Sequence, residues 1–227
     1  MIRIASAVFD HINKSIFMLR IHGMRWVRYA KRLISAAKPL QGEMRRVNLC
    51  CGTGRIPGYY GIDHIKGVDL CLDLSKNDLP FKNNSLDAVV CMSAINYFTY
   101  KRGQELVGET YRVLRTGGIA RFGVQDMESI AQRYVQKDTD FFFQKLPNGI
   151  DRFEGPTLGD KFAAWFYGYE IKGFPCRYFY DYNSLAHLFI SAGFTIVEKR
   201  AFLESRLDHI DKIDNRPEQM FYLEAVK

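Results

Sequence analysis

The chain has 227 residues, of which 47% are hydrophobic and 25% are charged, and these values exclude a globally disordered protein and fit one domain with or without a terminal extension. Lysine and arginine outnumber aspartate and glutamate by 32 to 25, and the net charge of +7 favours an anionic partner, whether nucleic acid, phospholipid surface or phosphorylated substrate. No apolar run approaches the ~20 residues of a membrane span, and no targeting segment is convincing, so we expect a cytoplasmic protein.

Residues 1–40 are predicted to form a basic, amphipathic helical extension. This segment carries eight lysines and arginines against one acid, Asp10. Its apolar stripe consists of Trp26, Ala30, Leu33 and Ala37, and a basic stripe beside it consists of Arg25, Arg28 and Arg32. Two interpretations stay open. The helix contacts an anionic membrane peripherally, or it packs on the following domain and covers its pocket.

Residues 41–227 are predicted to form one domain in which strands and helices alternate. The predicted strands are Arg46–Cys50, a short strand ending at Asp63, Val68–Asp73, Ala88–Met92, Ile119–Val124, Phe194–Lys199 and Met220–Val226. Helices are predicted over Leu106–Leu114, ended by Gly117 and Gly118, over Ser129–Gln136, and over Leu185–Ala192. This alternation indicates a mostly parallel, doubly wound α/β sheet, in which ligands bind beyond the carboxyl ends of the strands.

Residues 137–180 are rich in aromatic residues and are predicted to form an insertion that covers the substrate. The aromatic residues are Phe141, Phe142, Phe143, Trp165, Phe166, Tyr167, Tyr169, Tyr178, Phe179 and Tyr180. Such rings stack on sugars, quinones or bases, but they also fill hydrophobic cores, and we expect about half of them in the core.

The run VNLCCGTG places Gly52 and Gly54 directly after the first strand, where glycines allow a ligand to approach the backbone. The third glycine of a dinucleotide-binding loop is absent. Only about eight residues separate Gly52 from the next strand, too few for a crossover helix that would bind a pyrophosphate. The loop therefore favours a ligand without phosphate.

Two acids follow the next two strands. Asp63 is placed to accept both hydroxyls of a ribose, and Asp73 is placed to accept an adenine amino group. Each is alternatively a solvated turn residue. The five cysteines include no C-x-x-C pair and the five histidines are scattered, so we expect reduced thiols and no metal site.

Three segments resemble class I S-adenosylmethionine (SAM)-dependent methyltransferases: VNLCCGTGRIPGYYGID, DLSKNDLPFKNNSLDAVVCM and ETYRVLRTGGIARFGV. More narrowly, the chain resembles the short methyltransferases of bacterial surface-polysaccharide and lipopolysaccharide pathways, and its ending RPEQMFYLEAVK is similar to that group. The resemblance covers residues 46–136 well and the last 45 residues moderately.

The resemblance implies a Rossmann-like, seven-stranded sheet whose last strand is antiparallel, with SAM as cofactor and S-adenosylhomocysteine as product. Gly52 and Gly54 would hold the methionine end of SAM, Asp63 its ribose, and Asp73 with Leu74 its adenine. The full set of implied cofactor residues is Cys51, Gly52, Thr53, Gly54, Asp63, Asp73, Leu74, Met92 and Ser93. Glu109, Arg112, Gly117 and Gly118 are interpreted as structural.

The chain departs from the resembling family at three places. Cys50 replaces the first glycine of the loop, Asn96-Tyr97 replace a common Glu-His pair, and Thr116 replaces the usual proline of a turn. The identity of the general base is therefore left open by the sequence. Asp126 is positioned best, although it is equally an N-cap for the next helix, and Tyr97 is a weaker candidate.

The leading hypothesis is a SAM-dependent methyltransferase that O-methylates a sugar or a lipid-linked glycan intermediate. The alternatives are an RNA or other small-molecule methyltransferase and a non-catalytic binding partner with the same fold. A nucleic acid partner is disfavoured because the basic residues concentrate on one amphipathic helix. The oligomeric state and the acceptor atom are not predicted.

Overall fold

The computed structural model describes residues 45–168, 170–171 and 174–227. The predicted extension over residues 1–40 lies outside these ranges, and so does Tyr169. The strands are β1 Arg46–Leu49, β2 Tyr60–Asp63, β3 Leu70–Cys71, β4 Leu86–Met92, β5 Leu114–Gln125, β6 Glu170–Ile171, β7 Phe174–Pro175, β8 Ile196–Arg200 and β9 Met220–Val226. The helices are α1 Tyr100–Val113, α2 Met127–Val135, α3 Thr139–Phe142, α4 Leu158–Tyr167, α5 Tyr182–Ala192 and α6 Ile210–Ile213, and a 3-10 turn spans Ile95–Tyr97.

Seven of these strands form one sheet in the order β3-β2-β1-β4-β5-β9-β8. The pairs from β3 to β5 are parallel, whereas β9 runs antiparallel to both β5 and β8. The predicted doubly wound, Rossmann-like sheet with an antiparallel last strand is confirmed. The strand order reverses between β1 and β4, and the carboxyl ends of these strands therefore flank a crevice suited to a ligand.

Alternate side chains of β4 enter two hydrophobic clusters on opposite faces of the sheet. Val89 and Cys91 belong to the larger cluster, where the apolar sides of α1 and α5 cover the sheet. Ala88 and Val90 belong to a smaller cluster that includes Ile213 of α6. A continuous apolar run such as β4 is what burial on both faces requires.

The sequence wrongly places the end of α1 at Gly117 and Gly118. The helix ends at Val113, and β5 begins at the next residue. The pairing of β4 with β5 shifts between Leu86 and Ala88, so residues 115–118 bulge from the strand. Gly117 has φ +76°, and a Cβ on Gly118 would lie 2.8 Å from the Arg115 carbonyl oxygen. The glycine pair is needed for the bulge rather than for helix termination.

Glu109 and Arg112 have the structural role expected of them. The Leu79 N–H donates to Glu109 Oε2 at 3.1 Å, and Arg112 Nη2 donates to the same carboxylate at 2.7 Å. Arg112 also donates to the carbonyl oxygens of Leu79 and Phe81 at 2.8 and 2.7 Å. These bonds tie the segment between β3 and β4 to α1 and fix the path of the chain beside the crevice.

The aromatic-rich segment builds a small core of its own. Phe141, Phe142, Phe153 and Trp165 are buried together with Ile130 of α2. Tyr180 is buried in the main core instead. Most of these rings therefore pack against protein. No helix within the described ranges is long and apolar enough to cross a membrane.

Candidate cofactor-binding site

A cavity of about 270 Å³ lies at the carboxyl ends of β1, β2, β3 and β4. Seven of the predicted site residues line it, namely Gly52, Thr53, Asp63, Asp73, Leu74, Ser93 and Tyr97. The volume is close to the lower end for small-molecule pockets. The elements that form this cavity are the ones that flank the reversal of strand order.

The glycine loop is attached to the end of β2 through Asp63. The Gly52 N–H donates to Asp63 Oδ2 at 2.9 Å, and the Cys51 N–H donates to the Ile62 carbonyl oxygen at 3.1 Å. Gly52 has φ +56° and no atom within 4 Å of where a Cβ would lie, so the loop leaves open space on this side. Asp63 is buried and fixes the loop from its own strand end.

His64, which directly follows Asp63, lines the cavity as well. Its Nδ1 lies 2.8 Å from Asp63 Oδ1, and its ring centroid is 4.8 Å from that of Phe174. The histidine thus connects the carboxylate to the β6-β7 hairpin. Nothing in the local sequence of Phe174 indicates this contact, because it joins segments about 110 residues apart in the chain.

Asp73 combines the two roles that the sequence leaves open. Its Oδ1 accepts from the Ser75 N–H at 2.9 Å and from the Ser75 hydroxyl at 2.6 Å, which makes it the cap of a turn. Burial raises the pKa of Asp73, but the hydrogen bonds from Ser75 and Lys76 outweigh burial and lower the pKa below its usual value. The carboxylate is therefore ionised at neutral pH while it faces the cavity.

A second cavity of about 150 Å³ lies on the other side of the glycine loop. Three predicted cofactor residues line it rather than the first cavity: Cys51, Gly54 and Met92. Cys50 borders both cavities. The predicted cofactor residues are thus divided between two adjoining spaces, a division that follows from side chains alternating across the loop and the end of β4.

Cys50 adopts φ +52° at the position where the resembling family has a glycine. Burial is the main reason why the pKa of the Cys50 thiol is raised well above its usual value. The thiol is therefore protonated at neutral pH. Among the residues that the structure describes, no group of three histidine, cysteine or acidic side chains is placed to hold a metal ion.

Tyr97 is positioned by a buried contact with the segment that follows β7. Its hydroxyl is hydrogen-bonded to the Cys176 thiol, and Asn96 Nδ2 donates to Cys176 Sγ at 3.1 Å. Burial raises the pKa of Cys176, and these two hydrogen bonds offset part of the rise. Asn96 is buried and takes no part in lining the cavity.

Asp126 lies at the carboxyl end of β5 and caps α2. Its Oδ1 accepts from the Ser129 N–H at 3.1 Å, as an N-cap does, and it lines neither of the two cavities. The capping alternative is thus observed. Its role as a general base stays a prediction.

Sequence reasoning missed several apolar residues of the first cavity, which are Ile65, Leu72, Ala94 and Phe98. They directly follow or flank the predicted strand ends, and this position in the sequence is the signal that could have identified them as cavity residues. Together they provide flat apolar surface, and Asp63 and Asp73 provide hydrogen-bond acceptors. Two carboxylates repel a phosphate but accept from hydroxyl and amino groups. These residues fit the nucleoside of SAM, which carries a positive charge and no phosphate.

Comparison with known proteins agrees with this chemistry. Residues 47–122 match the family described as methyltransferase domain. A search of curated proteins finds no significant match. Among solved structures, the chain is similar to a SAM-dependent methyltransferase from Thermotoga maritima, with 19% identity, TM-score 0.46, and coverage of 93% of this chain and 96% of that one.

Two further solved structures are similar to this chain, with comparable identity, TM-score and coverage. A SAM-dependent methyltransferase from Archaeoglobus fulgidus has 15% identity and TM-score 0.46, with 89% of this chain and 94% of that one covered. A 1,6-didemethyltoxoflavin-N1-methyltransferase from Burkholderia thailandensis, with S-adenosylhomocysteine bound, has 14% identity and TM-score 0.44, with 96% and 88% covered. Likenesses this distant carry no information about the substrate.

The matched domain spans β1 to the middle of β5 and so includes the glycine loop, Asp63 and Asp73. The sheet order is that of a nucleotide-binding α/β fold, and the cavity at its switch point fits a nucleoside without phosphate. The match of residues 47–122 to a methyltransferase domain, together with this cavity, supports a methyltransferase enzyme that uses SAM as its cofactor.

Proposed function

We propose that this methyltransferase O-methylates a sugar or a lipid-linked glycan intermediate of surface-polysaccharide biosynthesis. The observation that carries the proposal is the aromatic edge of the cofactor cavity, where Tyr97 and Phe174 face the same space. Aromatic rings offer an apolar face to the C–H groups of a sugar, and a phenol adds a hydrogen-bonding hydroxyl. The resemblance of residues 46–136 to glycan-pathway methyltransferases supports the same substrate class.

SAM supplies an electrophilic methyl group when it is bound. Held by the glycine loop, Asp63 and Asp73, SAM would supply this methyl group to an acceptor hydroxyl and would leave as S-adenosylhomocysteine. The proton of the hydroxyl passes to a base or to water. The contribution of the protein is alignment at about 3–3.5 Å, which accounts for much of the acceleration of such displacements.

Tyr97 and Asp126 are the candidates for assisting the acceptor hydroxyl, Tyr97 as a hydrogen-bond partner and Asp126 as the base. Asp126→Asn tests the base directly, because asparagine caps helices as well as aspartate does and α2 is preserved. We expect the single-turnover rate to fall by about a hundredfold or more. Tyr97→Phe should lower the rate less, since it removes one hydrogen bond and keeps the ring.

These rates are measured at several pH values, with thermal unfolding as the control for the fold. A full rate in Asp126→Asn across the pH range contradicts the assignment of the base. Asn96 has no titratable proton near neutral pH, and Asn96→Ala should therefore leave the shape of the pH profile unchanged.

The substrate class is tested by incubating the purified protein and SAM with separate glycan, lipid and RNA fractions of cells. Release of S-adenosylhomocysteine is measured for each fraction, with heat-inactivated protein as the control. Turnover with the glycan or glycolipid fraction supports the proposal. Turnover with RNA alone makes the RNA methyltransferase alternative the correct one.

We also propose that residues 1–40 contact the membrane peripherally and bring the active site to lipid-linked acceptors at its inner face. Eight basic residues and an apolar stripe in this segment support the proposal. Anionic lipid attracts each nearby lysine or arginine by about 1 kcal/mol. The alternative, in which the helix covers the cofactor pocket, is compatible with the same sequence.

A further inference from the structure

Arg216 lies at the edge of the cofactor cavity. Its guanidinium Nη1 is 3.5 Å from the hydroxyl oxygen of Ser93, which lines that cavity directly after β4. Arg216 belongs to the ending RPEQMFYLEAVK and precedes β9, which begins at Met220. The structure thus brings a cation from the carboxyl-terminal part of the chain to the end of β4.

The backbone at this contact adopts a conformation that side chains seldom favour. Arg216 has φ +55° and Ser93 has φ +54°. Cys50, which borders both cavities, has φ +52°. Residues held in the left-handed region are uncommon, and they concentrate where a side chain must be aimed at a ligand. Two of them, Ser93 and Arg216, are in contact at this edge of the cavity.

Buried contacts hold the segment that carries Arg216. Asp214 Oδ1 accepts from Arg121 Nε at 3.1 Å, and both side chains are fully buried. The Tyr222 hydroxyl donates to the Asn215 carbonyl oxygen at 2.5 Å. The backbone on the amino-terminal side of Arg216 is therefore attached to β5 and β9.

No carboxylate in the described part of the chain lies within ion-pair distance of Arg216. Other arginines nearby are paired, as Arg55 is with Asp69 at 2.8 Å and Arg152 with Glu218 at 3.4 Å. Lys212 and Asn215 line the second cavity, and Lys212 pairs with Asp211 at 3.1 Å. Among the described residues, this edge therefore offers one guanidinium without an ion pair, together with a paired ammonium and an amide on the same segment.

We propose that Arg216, assisted by Lys212 and Asn215, binds an anionic group of the methyl acceptor, either a phosphate or a carboxylate. The proposal rests on the proposed function in that it concerns the acceptor of the same methyl transfer. A guanidinium matches the planar, two-oxygen geometry of both anions. The enzyme thereby selects acceptors that carry an acidic group near the hydroxyl to be methylated, such as a sugar phosphate or an acidic sugar.

The test uses the full chain saturated with S-adenosylhomocysteine. Inorganic phosphate and acetate are added separately, and their binding is followed by the line widths of their ³¹P and ¹³C resonances. Arg216→Gln is compared with wild type and with Arg216→Lys. The matched control is Arg115→Gln, which removes the same charge at the opposite end of β5, where Arg115 pairs with Asp87.

We expect wild type and Arg115→Gln to bind the anion equally. Arg216→Gln should weaken binding by at least about tenfold, and Arg216→Lys should lie between, because an ammonium keeps the charge but not the planar fork. Stronger binding of phosphate identifies a phosphorylated acceptor, and stronger binding of acetate identifies a carboxylated one. The affinity for S-adenosylhomocysteine, which also reports folding, should be the same in all four proteins.

Three results overturn the proposal. These are equal anion binding by wild type and Arg216→Gln, no binding of either anion by wild type, and a loss of S-adenosylhomocysteine affinity in Arg216→Gln. The last result would assign the guanidinium to the carboxylate of the cofactor. If anion binding depends on Arg216 but no glycan fraction accepts methyl groups, the anion site stands and the proposed acceptor class is wrong.

Discussion

At the scale of single residues, the site depends on a few side chains that do two things at once. Asp63 fixes the glycine loop through the Gly52 N–H and also faces the cofactor cavity. Asp73 caps its own turn and faces the same cavity. Because protein hydrogen bonds hold both carboxylates, their predicted contacts with ribose and adenine would be preorganised. Preorganisation of this kind reduces the cost of ordering on binding.

Asp63→Asn should weaken S-adenosylhomocysteine binding by about tenfold to a hundredfold, the effect of about 1–3 kcal/mol expected for lost hydrogen bonds to a charged group. The amide keeps the shape of the side chain but replaces one acceptor oxygen by a donor. Isothermal titration calorimetry measures the change. Asp140→Asn, which alters an exposed acid of α3, is the control. Unchanged affinity in Asp63→Asn would remove this residue from the cofactor site.

At the scale of elements, the helices and loops are fixed by caps and by one buried cluster of charges. Asp181 caps α5 by accepting from the Ser184 N–H at 2.7 Å, and Gly193 ends that helix with φ +108°. Arg121 of β5 is buried with Asp214 and with Glu224 of β9. The cluster lies under the segment that carries Arg216, and its integrity therefore affects both stability and the edge of the cavity.

The cap of α5 predicts a dependence of stability on pH. The hydrogen bond from the Ser184 N–H is the main cause of the lowered pKa of Asp181. A lowered folded pKa gives stability that is present above the usual carboxyl pKa of about 3.9 and is lost as the pH falls through the folded value. Asp181→Ala should cost about 1 kcal/mol near neutral pH, measured by urea unfolding. The cost should shrink below pH ~4.

Asp181→Asn should cost less than Asp181→Ala, because asparagine is also a good N-cap. Glu154→Ala changes an exposed acid outside the capping positions and serves as the control. A cost for Asp181→Ala that stays constant from neutral pH to pH ~3 would contradict the argument from the ionised cap.

Arg121→Met should destabilise the fold by about 3–5 kcal/mol, because it leaves Asp214 and Glu224 buried without their common cation. Urea unfolding measures the change. Arg115→Met removes an arginine whose side chain is 55% exposed, and its ion pair should contribute less than about 1 kcal/mol. Equal changes in the free energy of unfolding for the two substitutions would show that the buried cluster contributes no more to stability than an exposed ion pair.

At the scale of the whole molecule, the candidate binding cavities and the hydrophobic clusters lie at different parts of the sheet. The hydrophobic clusters lie on the two faces of the sheet and in the aromatic-rich segment, whereas the cavities lie at the carboxyl ends of the strands. Within the described residues, the cavities are therefore separate from the packed hydrophobic clusters. The net charge of +7 then acts on the whole molecule as an attraction toward anionic substrates and surfaces.

The membrane proposal predicts co-sedimentation with anionic vesicles. Replacement of Arg25, Arg28 and Arg32 together by glutamine should lower the partition coefficient by about a hundredfold, corresponding to about 1 kcal/mol for each charge. A triple variant of the exposed Lys82, Lys101 and Lys137 removes the same charge from the domain and should bind as wild type does. High salt should weaken binding. Equal sedimentation of both variants would favour the pocket-covering interpretation of residues 1–40.

The sequence by itself determined the class of the fold and the positions of the glycine loop and of the two acids near the ends of β2 and β3. These are local signals, since apolar runs, glycines and strand-end carboxylates each depend on neighbours in the chain. Where local signals conflicted, the prediction was wrong, as at Gly117-Gly118, or left two alternatives, as at Asp126. The glycine pair serves a bulge that depends on the pairing of β5 with β4, and this pairing is not local.

Only the tertiary structure decided which distant residues meet at the cavity. Phe174 reaches His64 through the β6-β7 hairpin, and Arg216 reaches Ser93 because β9 inserts between β5 and β8. The division of the predicted cofactor residues between two cavities was settled in the same way. Contacts between segments far apart in sequence follow from strand order and register, which depend on the packing of the complete core rather than on any short motif.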